Sequence, residues 1–203
     1  MNEHKPKVFC VGMFKTGTTS FGEAMRVLGY RAHAHFIPLL DNLSGYFDLD
    51  PRQFLPFEKR IRGIADEFDA LADAPWMYLY RELDHWYPNS LFVLTLRKDA
   101  ATVARSDRDW WDTQGLMPRW LAEVGSPPTA AMFIERYERH NENVRRYFRD
   151  KPRQLLEICW EQEPRSWQRL CEFVGAAVPA APFPHANRSR RPLLRRWRTP
   201  RID

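Results

Sequence analysis

A short polar loop near the start of the chain carries the residues best suited to hold an anion. Residues 12–20 (Gly-Met-Phe-Lys-Thr-Gly-Thr-Thr-Ser) follow an apolar run at 8–11, which predicts a buried strand, and precede helical apolar spacing at 21–28. Backbone N–H groups at a helix start attract anions, and the helix dipole adds positive potential. Lys15 supplies a full positive charge. The other candidate contacts in the loop are Thr16, Gly17, Thr18, Thr19 and Ser20.

The loop differs from a Walker A phosphate loop, in which lysine directly follows the second glycine. Here Lys15 precedes Gly17. The apolar run at 91–96 predicts a strand and leads into Arg97, where a nucleoside triphosphatase uses an acid to help hold magnesium. An arginine at that point favours a second anionic group. A helix N-terminus without a ligand is the alternative for the loop, and a surface salt bridge is the alternative for Arg97.

These residues resemble the sulfotransferases that use 3′-phosphoadenosine 5′-phosphosulfate (PAPS). Residues 15–19 (Lys-Thr-Gly-Thr-Thr) match the first signature of that family, and a strand followed by Arg97 and then Ser106 is similar to the second. Further stretches are similar to a bacterial and fungal branch, so the resemblance covers roughly residues 7–187. Those stretches are residues 69–75, 81–83, 87–89 and 183–187.

The resemblance implies that residues 15–19 hold the 5′-phosphosulfate, with Lys15 neutralising charge on the bridging oxygen. Arg97 and Ser106 would bind the 3′-phosphate. The sulfuryl group would pass in line to a hydroxyl or amine of a small-molecule or glycan acceptor, without a metal, leaving 3′-phosphoadenosine 5′-phosphate. Ser106 lies nine residues after Arg97, one more than is usual in the family, so Lys98 and Arg105 stay open as alternatives. An ATP-dependent kinase of P-loop-like fold and a non-catalytic nucleotide- or anion-binding protein are the competing functions.

Asp73 is the first candidate for a general base. It ends the predicted strand at 70–73, and the resemblance implies a histidine or an acid near this point. The alternative is that Asp73 caps a helix starting near Trp76. His33 and His35 share one face of a predicted strand and are the rival bases.

Two adjacent tryptophans and one histidine are further candidates. Trp110 and Trp111 form either a wall for the acceptor or part of the core. His140 interrupts an apolar helical stripe, which is typical of a core histidine with a hydrogen-bond partner.

The elements that position these residues alternate between strands and helices. Strands are predicted at residues 8–11, 32–36, 70–73, 91–96 and 155–159. Helices are predicted at residues 21–28, 61–68, 76–83, 133–147 and 167–174, and residues 38–52 are predicted to be a loop. The alternation, with the resemblance, predicts an α/β, three-layer P-loop-like fold: a central parallel sheet flanked by helices. Ligands of such sheets bind at the carboxyl ends of the strands.

The length of 203 residues favours one domain, which we place at residues 1–187, with an arginine-rich tail at 188–203. Seven arginines lie in the tail, whereas the preceding part has a net charge of −1. We expect residues 188–191 to close over a bound nucleotide. Three cysteines without metal-ligand spacing predict free thiols in a cytoplasmic protein. The sequence predicts no targeting segment, no membrane span and no specific nucleic-acid partner; it leaves the oligomeric state open.

Overall fold

The structure, a computed structural model, describes residues 5–186, and the predicted arginine-rich tail lies outside that range. The five predicted strands are confirmed, each ending a residue or two before its apolar or alternating run ends. They are β1 (Val8–Cys10), β2 (Ala32–Ala34), β3 (Ala70–Ala72), β4 (Leu91–Thr95) and β5 (Leu155–Ile158). The helices are α1 (Thr18–Val27), α2 (Leu43–Phe47), α3 (Glu58–Glu67), α4 (Tyr80–Trp86), α5 (Ala100–Thr113), α6 (Met117–Val124), α7 (Ala130–Phe148) and α8 (Ser166–Val174).

The five strands form one parallel sheet in the order β2-β3-β1-β4-β5. In its centre, Phe9 of β1 pairs with Leu71 of β3 on one side and with Phe92 of β4 on the other. In chain order, β2 and β3 are placed on one side of β1, and β4 and β5 are then placed on the other side. Beside β1 the strand order therefore reverses, and a crevice opens at the carboxyl ends of β1 and β4.

Helices cover both faces of the sheet because successive strand residues point to opposite sides. Phe9 and Phe92 belong to the core cluster that contains residues of α3, α4 and α7. Cys10 and Val93 belong to the other cluster, which contains residues of α1 and α8. The predicted three-layer α/β fold is confirmed.

The prediction of a loop at residues 38–52 was wrong. Residues 43–47 form α2, and a 3₁₀ helix, Pro51–Phe57, begins inside the predicted loop. Tyr46 and Phe54 from these two elements are buried in the core, and the Asp50 side chain accepts a hydrogen bond from the Arg52 backbone N–H at 2.9 Å. Helices this short contain too few turns to establish a periodic pattern.

The helix expected from Trp76 begins only at Tyr80. The residues before it form tight turns, in which the Tyr78 N–H donates to the Pro75 carbonyl at 3.0 Å and the Leu79 N–H to the Trp76 carbonyl at 3.2 Å. The apolar residues in these turns are buried in the core.

The predicted free thiols are confirmed. Cys10 and Cys171 are buried, and Cys159 is partly buried. None of the helices within residues 5–186 has the length and apolar character needed to cross a membrane.

Candidate functional site

The loop after β1 is pressed against β4. A Cβ on Gly12 would lie 1.9 Å from Thr95 Oγ1, so a side chain there would collide with β4. Thr16 is buried; its hydroxyl lies 2.5 Å from the Met13 carbonyl oxygen and 2.6 Å from Thr95 Oγ1. Thr16, a predicted anion contact, thus directs its hydroxyl into the protein and fastens the loop to the sheet.

Two residues in the left-handed backbone conformation connect the loop to α1. Lys15 has a φ of 65° and Gly17 a φ of 99°. A Cβ on Gly17 would lie 2.5 Å from Trp160 Cδ1, so glycine is needed for this close contact as well as for the backbone angle. The first α1 hydrogen bond runs from the Phe21 N–H to the Gly17 carbonyl at 3.0 Å. The first backbone N–H groups of α1 lack intrahelical acceptors, and Gly17, Thr18 and Thr19 at this helix start line a cavity.

One cavity of about 380 Å³ collects most of the predicted site residues at the carboxyl edge of the sheet. The predicted residues that line it are Lys15, Gly17, Thr18, Thr19, Asp73, Arg97 and Ser106. The others are Phe14, Phe36, Trp110 and Ala186. The cavity thus combines two cations, three hydroxyl groups, a helix N-terminus and one carboxylate, which suits a polyanionic ligand.

Arg97 leaves β4 toward this cavity. Its Nη2 lies 2.8 Å from Glu161 Oε1, so the salt bridge given above as the alternative for Arg97 exists. Its Nε is buried and has no hydrogen-bond partner within residues 5–186. Asp99 caps α5 by accepting a hydrogen bond from the Thr102 N–H, and two turns of that helix bring Ser106 into the same cavity. Arg97 therefore retains an unused donor at a site shared with Ser106.

The alternatives to Ser106 lie elsewhere. Neither Lys98 nor Arg105 lines the cavity, and the Arg105 guanidinium donates instead to Thr102 Oγ1 at 3.4 Å.

Asp73 follows β3 in the left-handed conformation, with a φ of 72°. It does not cap a helix, because α4 starts only at Tyr80. Its carboxylate accepts a hydrogen bond from the Thr18 hydroxyl. Burial raises the pKa of Asp73, and the Thr18 hydrogen bond, His35 and the charge of Lys15 oppose that shift. A carboxyl group with a raised pKa is suited to accept a proton from a ligand.

Two acidic residues, Asp107 and Asp73, lie close enough to Lys15 to affect its pKa. Burial lowers the pKa of its ammonium group, while Asp107 and Asp73 oppose the shift. Its Nζ lies 5.7 Å from the centre of the Trp110 ring. Asp107 is itself buried, and its Oδ2 lies 3.6 Å from Arg136 Nη1; no spacing pattern in the sequence indicates this pair.

The rival histidines lie outside the cavity. The His33 ring packs 5.1 Å from Phe68, centre to centre, and burial lowers the pKa of His33. His35 is exposed and is close enough to Asp73 to affect the pKa of that carboxyl. His140 is confirmed as a core histidine: its Nε2 donates to the Val11 carbonyl at 2.7 Å, and burial lowers its pKa to about 4.

The C-terminal end of the described chain returns to the loop. Phe183 packs 4.6 Å from the Trp160 ring and 5.0 Å from the Trp167 ring, centre to centre. The Ala186 N–H then donates to Ser20 Oγ at 3.1 Å. Ser20, another predicted anion contact, thus holds the segment that brings Ala186 to the cavity wall.

The adjacent tryptophans have different roles. Trp111 is buried against Trp120 and Phe133, at ring distances of 5.3 and 5.6 Å. Trp110 is 39% exposed and lines the cavity. Neighbouring helix residues point about 100° apart, so one of two adjacent tryptophans can face the core while the other faces the cavity.

Residues that could bind a metal do not cluster here. Within residues 5–186, no three side chains of His, Cys, Asp or Glu form a group that could hold a metal ion.

Comparison with known proteins shows what this chain is similar to. A family model described as "Sulfotransferase domain" matches residues 7–129 and 101–191. The chain is also similar to "Ava biosynthesis cluster protein M" of Aspergillus versicolor, with 27% identity over 236 aligned positions. That alignment covers 95% of this chain and 87% of the relative.

Proposed function

Because the chain belongs to the sulfotransferase-domain family, we propose that it transfers a sulfuryl group from PAPS to a hydroxyl or amine of a small molecule. The observation that carries this proposal is the shared cavity. Lys15 and the α1 N-terminus, Arg97 with Ser106, and Asp73 come from three separate strand ends and α5, yet they line one space. The proposed reaction uses two groups that bind the anionic ends of the donor and one carboxylate that accepts the acceptor's proton.

The residues present fit a donor with two anionic ends. PAPS supplies an activated sulfuryl group joined to a phosphate. Lys15 and the α1 N-terminus provide positive potential where the phosphate oxygen gains charge, which is the main way a protein assists such a transfer. Arg97, with its unused Nε–H, and Ser106 provide donors for the 3′-phosphate.

Asp73 provides the proton acceptor. It lines the same cavity as Lys15, and burial raises its pKa toward working pH. We assign it the removal of the acceptor's proton while the protein holds both reactants in line.

Further proposals concern the extent of the domain, the tail, the cellular location and the acceptor. We propose that residues 1–187 form the catalytic domain and that residues 188–191 add arginines over the nucleotide; the position of Ala186 on the cavity wall supports this. Three free cysteines support a cytoplasmic location. The Aspergillus versicolor relative is named for a biosynthesis cluster, which supports a small-molecule acceptor.

Thermal denaturation with three ligands separates this function from its competitors. A ligand that prefers the native state raises the melting temperature. We expect PAPS to raise it in the wild type and in the exposed-lysine control Lys59→Ala, but much less in Lys15→Ala. A larger rise with ATP and magnesium would favour a kinase. A larger rise with an oligonucleotide would favour a binding protein. A PAPS transfer screen across acceptor classes, read by mass, then tests the chemistry.

A further inference from the structure

A second cavity of about 180 Å³ lies beside the first, and both are lined by Phe14, Phe36 and Trp110. We propose that it binds the body of the acceptor: a hydroxylated aromatic compound of one or two rings with an uncharged oxygen at its far end. This rests on the proposed function, since the first cavity must hold the sulfuryl donor. The amine and glycan acceptors left open above are then poor substrates.

The size and lining of the second cavity favour a small ring system. Its walls are largely apolar, including Leu40, Leu43, Tyr46 and Leu116. An apolar protein cavity of about 150 Å³ holds one benzene ring. The volume here therefore accommodates one ring, and a second ring would lie outside it at the shared rim. A sugar would bring several hydroxyl groups against walls that offer them few partners, which is unfavourable.

The shared rim consists of aromatic side chains, two of which are unusually open. Phe36 is 42% exposed and Trp110 is 39% exposed, although both are large and apolar. The rings of Phe14 and Phe36 lie 6.1 Å apart, centre to centre. Aromatic rings favour edge and offset contacts with other rings at such distances. The rim is thus suited to hold a planar ring between the two cavities.

Arg136 provides the polar contact, because Arg119, the other arginine that lines the second cavity, already donates to Glu123 and to the Asp41 carbonyl. Arg136, which lines the second cavity, donates from Nη2 to the Tyr46 carbonyl at 2.7 Å and to the Tyr78 hydroxyl at 3.0 Å. It is only 3% exposed, and its Nε has no hydrogen-bond partner within residues 5–186. The same holds for Asp107 Oδ1, on the other side of the ion pair. A buried donor without a partner is unfavourable, so a ligand oxygen that reaches this guanidinium and accepts from it would bind well.

The transfer step then follows from the order of the two cavities. The acceptor's hydroxyl reaches the first cavity at the rim, where Lys15 lies over Trp110 and where Asp73 is also part of the wall. The hydroxyl oxygen forms a bond to sulfur as the bond from sulfur to the phosphate oxygen breaks. The Asp73 carboxylate takes the hydroxyl proton, and 3′-phosphoadenosine 5′-phosphate leaves with the bonding electrons.

Calorimetric titration of the complex with 3′-phosphoadenosine 5′-phosphate tests this assignment without relying on turnover. We expect 7-hydroxycoumarin, which has two rings and a ring carbonyl, to bind about tenfold more tightly than 2-naphthol, which lacks the carbonyl and the ring oxygen. Lactose and a tyrosine peptide should bind more weakly than either. Tighter binding of lactose or the peptide would overturn the acceptor class, and equal binding of the two ring compounds would overturn the role of Arg136.

Variants locate the binding site. Leu116→Trp should fill the cavity and weaken 7-hydroxycoumarin at least about tenfold, with Leu40→Trp as a second filling variant. Leu121→Trp, at an exposed position of α6, is the matched control and should leave affinity unchanged. Unchanged affinity in both filling variants would overturn the proposal. The nucleotide titration reports separately on the proposed function: failure there rejects the donor site, whereas normal nucleotide binding without ring-compound binding rejects only the acceptor assignment.

Discussion

Replacing Asp73 by asparagine removes one proton acceptor while preserving its surroundings. The left-handed φ of 72° at this position is one that asparagine adopts more readily than most residues. The asparagine carbonyl can still accept the hydrogen bond from the Thr18 hydroxyl, and the residue size is nearly unchanged. The variant should therefore fold normally. It isolates the chemical role of the carboxylate.

The expected effect is on turnover. A positioned base contributes about 10²–10⁴-fold, so kcat should fall by that factor, equivalent to about 3–5 kcal/mol of transition-state stabilisation. PAPS affinity should not weaken, because the substitution removes a negative charge from a cavity that binds an anion. A loss of affinity with kcat retained would show that Asp73 organises the binding site instead.

The pH dependence gives an independent reading. The base acts in its deprotonated form, so activity should rise as pH increases through the Asp73 pKa, which burial raises above its ordinary value. The kcat profile of Asp73→Asn should lack this acidic limb. The matched control is Asp69→Asn: Asp69 lies just before β3 and binds Arg31, away from the cavity. Near-normal kcat in Asp73→Asn would refute the base role and direct the search to His33 and His35.

Three other perturbations test separate parts of the molecule. Arg97→Ala should weaken PAPS much more than an analogue without the 3′-phosphate, by calorimetry, since only PAPS loses a charge-assisted contact; equal losses would contradict the assignment. Deleting residues 192–203 should leave PAPS affinity nearly intact, whereas Arg188→Ala combined with Arg190→Ala should lower it. Unchanged PAPS affinity in both variants would exclude the tail from the site. Burial lowers the His140 pKa from 6.5 to about 4, so its contribution to stability is present above pH 6.5 and is lost as pH falls through 4. Urea unfolding should show about 3 kcal/mol less acid destabilisation in His140→Gln than in the wild type, and equal pH dependence would contradict the buried neutral state.

The strand ends were predictable because the chemistry there follows directly from the fold pattern. The apolar run before the loop and the one before Arg97 are long enough to identify as strands. In a parallel sheet their carboxyl ends must meet at one edge. The convergence of Lys15, Arg97 and Asp73 on one cavity follows from that rule.

The orientation of the loop hydroxyls was not predictable. Thr16 and Ser20 carry the same kind of group as Thr18, but the direction of each depends on distant partners. Thr16 is held by Thr95, which is 79 residues away in the sequence, and Ser20 by the N–H of Ala186, which is 166 residues away. No local spacing contains that information.

The second cavity could not be predicted for a related reason. Its walls come from loops, from the short helices α2 and α6, and from single faces of α5 and α7, and no local pattern brings these separate segments together. In the sequence, Trp110 has two possible roles, an acceptor wall or the core, and Phe36 is one of the apolar residues of a predicted strand. Only the folded structure shows that their side chains are partly exposed at a shared rim.

Sulfuryl transfer from PAPS at Lys15 is tested most directly by measuring acceptor-dependent release of 3′-phosphoadenosine 5′-phosphate together with the mass of the sulfated acceptor. We predict that the wild type and Lys59→Ala each release one 3′-phosphoadenosine 5′-phosphate for every sulfated acceptor formed. In Lys15→Ala, turnover at saturating PAPS should fall by about two orders of magnitude or more, because the charge on the leaving oxygen loses its partner. Full turnover in Lys15→Ala at saturating PAPS would contradict the catalytic role of Lys15, and phosphorylated acceptor formed from ATP would contradict sulfuryl transfer itself.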